Sequence, residues 1–160
     1  MYSEVERRLY FRIWSPAREY LPSWHRRGID EGASWIVAPG TKKAHYMYGD
    51  PGDQRKRVLI VEGIVDQLRV GIGCVSLLGC AMSATHEAYL SQFEEVWVGM
   101  DEDRPGREAE EEIVSRLQMA GVPVVRGLCL SQELGDWRPT DKRLKTLQGL
   151  LRAGVGKVVA

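Results

Sequence analysis

Cysteine and histidine are scarce in this 160-residue chain, with three of each. Cys74, Cys80 and Cys129 form no CxxC pair and have no histidine pair nearby. That spacing argues against a structural zinc site and against a disulfide framework. Long apolar runs are also missing: residues 58–61 and 155–160 fall far short of the roughly 20 residues that a membrane helix requires. The first residues include Glu4, Glu6, Arg7 and Arg8, where a secretory signal would carry its apolar stretch, so a cytoplasmic location is expected. Net charge is zero, with 22 Lys and Arg against 22 Asp and Glu, which speaks against a uniformly basic nucleic-acid binder. No Ser-His-Asp or Cys-His pattern points to a nucleophilic enzyme. With 44% hydrophobic residues, the chain can still bury one core.

What is present is unevenly placed. Residues 1–57 hold 11 Lys and Arg against 7 Asp and Glu, and residues 58–160 hold 11 against 15. The halves therefore carry +4 and −4. Trp14, Trp24, Trp35, Tyr46 and Tyr48 are scattered among the basic residues of the first part, where Pro and Gly break any periodicity, and short strands with loops are expected there. The stretch 49–57 reads as a linker.

From Val58 onward short apolar runs alternate with helical periodicity, which is the pattern of a mostly parallel α/β sheet. Strands are predicted at 58–61, 75–78, 95–100 and 122–128. Helices fall between them: one carrying Val65, Leu68 and Ile72, one capped by Ser83 and reaching about Gln92, and the longest entered through Pro105 and stopped by Gly121. A final helix over 142–153 places Leu144, Leu147 and Leu151 on one side. The organisation predicted is a segment 1–57, an α/β domain 58–140 and a C-terminal helix and tail 141–160.

Glu62 directly follows the first of these strands, and Asp101 and Asp103 follow the third. In a parallel sheet the carboxyl ends share one edge, where ligands gather. Three carboxylates distant in sequence are thereby predicted to converge, and two acids one residue apart in an extended stretch point the same way. Clustered carboxylates repel one another unless a cation neutralises them. Their all-oxygen donor set suits magnesium, which keeps several waters and also binds substrate phosphates. Gly63 and Gly106 let backbone pass close to such phosphates, and Gly79 marks the turn after the second strand. Taken alone, Asp101 and Asp103 would read as helix caps and Glu62 as a polar strand end.

The segment Val58-Leu59-Ile60-Val61-Glu62-Gly63-Ile64-Val65-Asp66, then Leu77-Leu78-Gly79, then Asp101-Glu102-Asp103-Arg104-Pro105-Gly106-Arg107-Glu108-Ala109 resembles the Toprim domain of DnaG-type bacterial and phage primases. The resemblance implies a Toprim fold with a four-stranded, mostly parallel sheet flanked by helices. It implies that Glu62 serves in acid/base or nucleotidyl-transfer chemistry and that Asp101 and Asp103 bind magnesium, or manganese in its place. Asp66 matches the acid of the family's EGxxD pattern, which supports the metal site. Gly135-Asp136-Trp137-Arg138-Pro139 resembles the region carrying a further family aspartate, so Asp136 is a further metal ligand by analogy. Asp141 stands farther along than the family's second acid there.

Residues 10–48 resemble, more loosely, the part of the primase core that precedes Toprim: Tyr10-Phe11-Arg12-Ile13-Trp14-Ser15-Pro16, Trp24-His25-Arg26-Arg27-Gly28 and Lys42-Lys43-Ala44-His45-Tyr46. This implies that Arg27 and Lys43, with Arg26, Lys42 and Arg107 beside them, reach nucleic-acid or nucleotide phosphates. Trp24, Trp35 and Tyr46 would stack on unpaired bases or else form a small core. His25 and His45 are expected as hydrogen-bonding neighbours of that surface, and His86 on a helix face. The activity implied is magnesium-dependent primer synthesis from nucleoside triphosphates on single-stranded DNA. A helicase or other replication protein would be the partner, and host cytoplasm the setting if the gene is phage-borne. A Toprim nuclease and a non-catalytic nucleic-acid or nucleotide-binding replication accessory protein are the alternatives.

Overall fold

A computed structural model describes residues 1–3, 7–17, 21–30, 34–52, 55–128, 138 and 140–154. Its centre is β6 (Arg57–Val61), where Val58, Leu59, Ile60 and Val61 are all completely buried. A strand apolar on both faces needs cover on both sides, and the period-2 alternation of side chains sorts that cover into two layers. Val58 and Ile60 pack with Val75, Val96 and Val98 against Leu90, Ile113 and Leu117. These three belong to α2 (Ala84–Leu90) and α3 (Arg104–Met119). Leu59 and Val61 face the other way, with Cys74 and Trp97, against Val70, Leu144, Leu147 and Leu151. The latter come from α1 (Ile64–Val70) and α4 (Lys142–Gly154).

Beside β6 lie β7 (Cys74–Ser76) and β8 (Glu95–Gly99), and β9 (Val124–Gly127) follows β8, all parallel. The sheet order is β5-β7-β6-β8-β9. The sheet thus has one strand more than the four predicted. β5 (Tyr48–Asp50) pairs antiparallel with β7, and its Gly49 and Asp50 fall in the stretch that reads as a linker. Ser83 accepts a hydrogen bond from the His86 amide to start α2, and α3 ends just before Gly121, as expected. Asp136 lies outside the described residues.

The N-terminal part is a second sheet, β1-β2-β3-β4, wholly antiparallel: β1 (Tyr2–Ser3), β2 (Arg8–Ile13), β3 (Ser23–Gly28) and β4 (Trp35–Val37). It is joined to the larger sheet by paired backbone hydrogen bonds between Trp14 and Met47 (3.0 and 2.8 Å). The Trp14 indole also donates to the Gly49 carbonyl at 2.9 Å. Beneath this seam Ile13, Tyr46, Ile64 and Leu78 form a core of their own, flanked by Phe11, Trp35 and Tyr48. No helix among the described residues is long and apolar enough to cross a membrane.

Candidate functional site

The carboxyl edge of the larger sheet faces the inner side of the smaller one, and the space between is a cleft of about 540 Å³. Its floor is Glu62 and Gly63 after β6, Ile64, Val65 and Asp66 of α1, Leu78 and Gly79 after β7, and Asp101 after β8. Its roof is His25 and Arg27 of β3, Trp35 of β4, and Lys43, which opens a single 3-10 turn, Lys43–His45. Glu62 and Asp101, 39 positions apart in the sequence, meet there because both hang from the ends of adjacent parallel strands.

The floor is held by short polar contacts. The Glu62 carbonyl accepts the Ser76 hydroxyl at 2.8 Å and the Gly79 amide at 3.1 Å. The Ser76 oxygen in turn accepts the Leu78 amide at 3.0 Å. To make this turn Leu78 adopts φ 64° and Gly79 φ 148°. A bulky residue in the left-handed region is uncommon and clusters at functional sites. Asp66 is buried, and its carboxylate accepts the Gly63 amide at 3.1 Å, so within the cleft it shapes the turn that carries Glu62. Cys80 lies beside the acids: burial first, then its thiol's hydrogen bond to Glu62 and the charges of Glu62, Asp103 and Asp101, push its pKa up to about 11. It is therefore a protonated donor near neutral pH.

Asp103 caps α3, accepting the Gly106 amide at 2.8 Å through Oδ1. The helix start is pressed onto the preceding loop, such that a Cβ at Gly106 would lie 2.1 Å from the Asp101 carbonyl oxygen. Only glycine permits that approach. Behind the loop, the Met100 amide is 3.4 Å from the Glu110 carboxylate, whose pKa burial raises.

On the roof, strand alternation separates two neighbours that the sequence groups together. Arg27 lines the cleft, with its guanidinium 5.3 Å from the Trp35 ring centre. Arg26 points to the opposite face, where it lies 5.0 Å from the Trp24 ring centre and donates to the Tyr10 hydroxyl at 2.9 Å. Trp24 and Arg26 therefore form a separate aromatic and basic surface outside the cleft. Tyr46, expected to stack on bases, is only 7% exposed: its ring belongs to the seam core and its hydroxyl donates to the Leu21 carbonyl. Lys42 and Arg107 are exposed outside the cleft lining, and Arg107 donates to the Glu102 carbonyl. His86 lies on the buried face of α2, with Nε2 donating to the Tyr46 carbonyl at 2.9 Å.

Sequence reasoning missed Ser76, Leu78 and Cys80 as supports of Glu62. The one signal available for Ser76 was a hydroxyl amid an apolar strand, and buried hydroxyls need partners. Among the described residues, no group of three or more His, Cys, Asp or Glu side chains forms a cation cage. Two carboxylates, Glu62 and Asp101, line an open cleft, with Asp103 two residues on as the helix cap, and such a set could hold an ion that takes one or two protein ligands and completes its shell with water. Magnesium fits that description.

A family model described as Toprim-like matches residues 59–138. A search of curated protein sequences gives no match. Among solved structures, the Aquifex aeolicus primase (zinc-binding and RNA polymerase domains) is similar at TM-score 0.67 and 24% identity, covering 93% of this chain and 40% of that one. The primase fragment of the bacteriophage T7 primase-helicase protein gives 0.60 and 21%, covering 92% and 62%. The RNA polymerase domain of Mycobacterium tuberculosis primase DnaG gives 0.61 and 24%, covering 94% and 55%. The likeness at these identities is one of fold, and the chain spans less than two thirds of each of these structures.

Proposed function

The chain belongs to the Toprim-like family, and from that premise we propose that it is a DnaG-like nucleotidyltransferase that builds primers on single-stranded DNA from nucleoside triphosphates. One observation carries the reading: a single cleft sets the carboxylates Glu62 and Asp101 opposite the cations Arg27 and Lys43. That arrangement suits a polyphosphate bound between a metal on one side and direct cationic contacts on the other. The fold likeness to three primase structures supports it.

Glu62, Asp101 and Asp103 would hold magnesium or manganese. When bound, the ion supplies charge neutralisation at the phosphates and alignment for in-line attack. Arg27 and Lys43 hold the phosphates from the roof. Glu62, whose carbonyl is held by Ser76 and Gly79, would take the proton of the attacking hydroxyl. Asp66 keeps the Glu62-Gly63 turn in shape, and Asp136 is proposed as a further ligand by family analogy. A helicase or another replication protein is the partner this reading implies, with the cytoplasm as the working compartment.

The test is primer formation or extension on single-stranded templates, with nucleoside triphosphates and magnesium or manganese. Glu62→Gln is expected to lower the rate at least about 100-fold, the scale of losing a positioned general base. Absence of product from the wild-type chain at every metal concentration would overturn the reading. The same gel separates the alternatives, since a nuclease shortens a labelled strand. A binding accessory protein would give neither product and would keep its nucleic-acid affinity in Asp101→Asn.

A further inference from the structure

His25 sits in the roof with 5% of its surface exposed, and among the described residues neither ring nitrogen has a hydrogen-bond partner. Aromatic rings flank it: the Trp35 ring centre is 4.8 Å away, and Phe11 is its partner across the β2–β3 ladder, with Val37 opposite on β4. Phenylalanine would fill this place without leaving two buried nitrogens unsatisfied, a state that normally costs stability. An orphaned polar group that borders a ligand cleft is accounted for by a ligand.

The ligand group can be narrowed by chemistry. Burial and the charge of Lys43 lower the His25 pKa to about 4, so near neutral pH one nitrogen donates and the other accepts. Phosphate oxygens only accept, and Arg27 and Lys43 already offer them cationic donors. A hydroxyl both donates and accepts, so it is complementary to a neutral imidazole in either tautomer. His25 and Arg27 are two positions apart on the same face of β3, hence about 7 Å along the strand. A nucleotide spans a distance of that order from its phosphates to its sugar hydroxyls.

Resting on the nucleotidyl-transfer reading above, we propose that His25 is the group that reads the sugar of the nucleotide in the cleft, through a hydrogen bond to its 2′-hydroxyl. The experiment is calorimetric titration of the full chain, in magnesium, with ATP, 2′-deoxy-ATP and pyrophosphate, in wild type, His25→Phe and His25→Ala. Wild type should bind ATP about three- to tenfold more tightly than 2′-deoxy-ATP, the value of one neutral hydrogen bond. Both variants lack the nitrogens, and whichever keeps a cooperative melting curve should bind ATP only as well as 2′-deoxy-ATP. Affinity for 2′-deoxy-ATP and pyrophosphate should be unchanged. His25→Phe should melt no lower than wild type.

Equal binding of the two nucleotides by wild type would overturn the proposal while leaving the nucleotide reading intact. Survival of the preference in a folded variant, or an equal loss for pyrophosphate, which would place the contact on phosphate, would do the same. Unfolding of both variants would mark His25 as a structural group and overturn it too. Failure of wild type to bind any of the three probes would remove the nucleotide reading itself.

Discussion

Gly106 shows how a single position can oppose its own propensity. Alanine is favoured over glycine inside a helix by about 1 kcal/mol, yet here its Cβ would meet the Asp101 carbonyl oxygen at 2.1 Å. Gly106→Ala is therefore expected to destabilise by about 1–3 kcal/mol through overpacking, and to impair metal-dependent activity by shifting Asp101. Urea denaturation alongside metal titration checks both effects. His25 provides a pH signature. Its pKa is about 4 in the folded chain against an ordinary 6.5, so the unfolded chain binds more protons between those values and stability falls as pH drops through that window. The loss is at most about 3 kcal/mol, and His86, also lowered by burial, adds in the same direction. His25→Phe should flatten the curve of melting temperature against pH below 6.5. That Glu62 and Asp101 meet at one edge was legible in the sequence because strand ends announce themselves as an apolar run followed by an acid, whereas Asp103 caps α3 and does not line the cleft. The place of His25 was not legible, because which side of β3 it takes depends on pairing with β2 and β4.

Most elements after residue 57 follow the sequence closely, but α1 buries Ile64 and Val70 rather than the face that the periodicity predicted: Val65 and Leu68 are exposed and Ile72 lies beyond the helix end. β5 escaped because three residues including a glycine and an aspartate carry no alternation, and only pairing with β7 makes them a strand. The final helix was legible from Leu144, Leu147 and Leu151, but its position beneath Leu59 and Val61 was not. Leu151 is completely buried, and its Cβ would be 3.2 Å from a Cβ placed on Gly73. Leu151→Ala is expected to cost about 2–5 kcal/mol, because the packed helix cannot collapse fully into the gap. A lower urea midpoint with unchanged nucleotide binding is the expected result, since Leu151 packs beside Gly73, which precedes β7 at the amino edge of the sheet, opposite the edge that carries the cleft. Weakened binding at unchanged stability would contradict that assignment.

The whole molecule divides the charged groups of its cleft: Glu62 and Asp101 hang from the larger sheet, Arg27 from the smaller, and Lys43 from the turn that follows it. Basic and acidic halves were visible in the sequence as an excess of each sign. That they face each other was not, because the seam rests on Trp14, Met47 and a small apolar core that no local pattern predicts. β6 lies at the middle of the larger sheet and is paired on both sides. Its amide protons should accordingly exchange with solvent only in rare, global openings, whereas those of the short β4 and the turn at Lys43 exchange through local ones. The catalytic floor would then be preset and nearly unresponsive, and occupation of the cleft would be written in the roof. Deuterium uptake with and without nucleotide should slow around Trp35 and Lys43 and stay constant along Val58–Val61, making the smaller sheet the clock by which filling of the larger one's site is read.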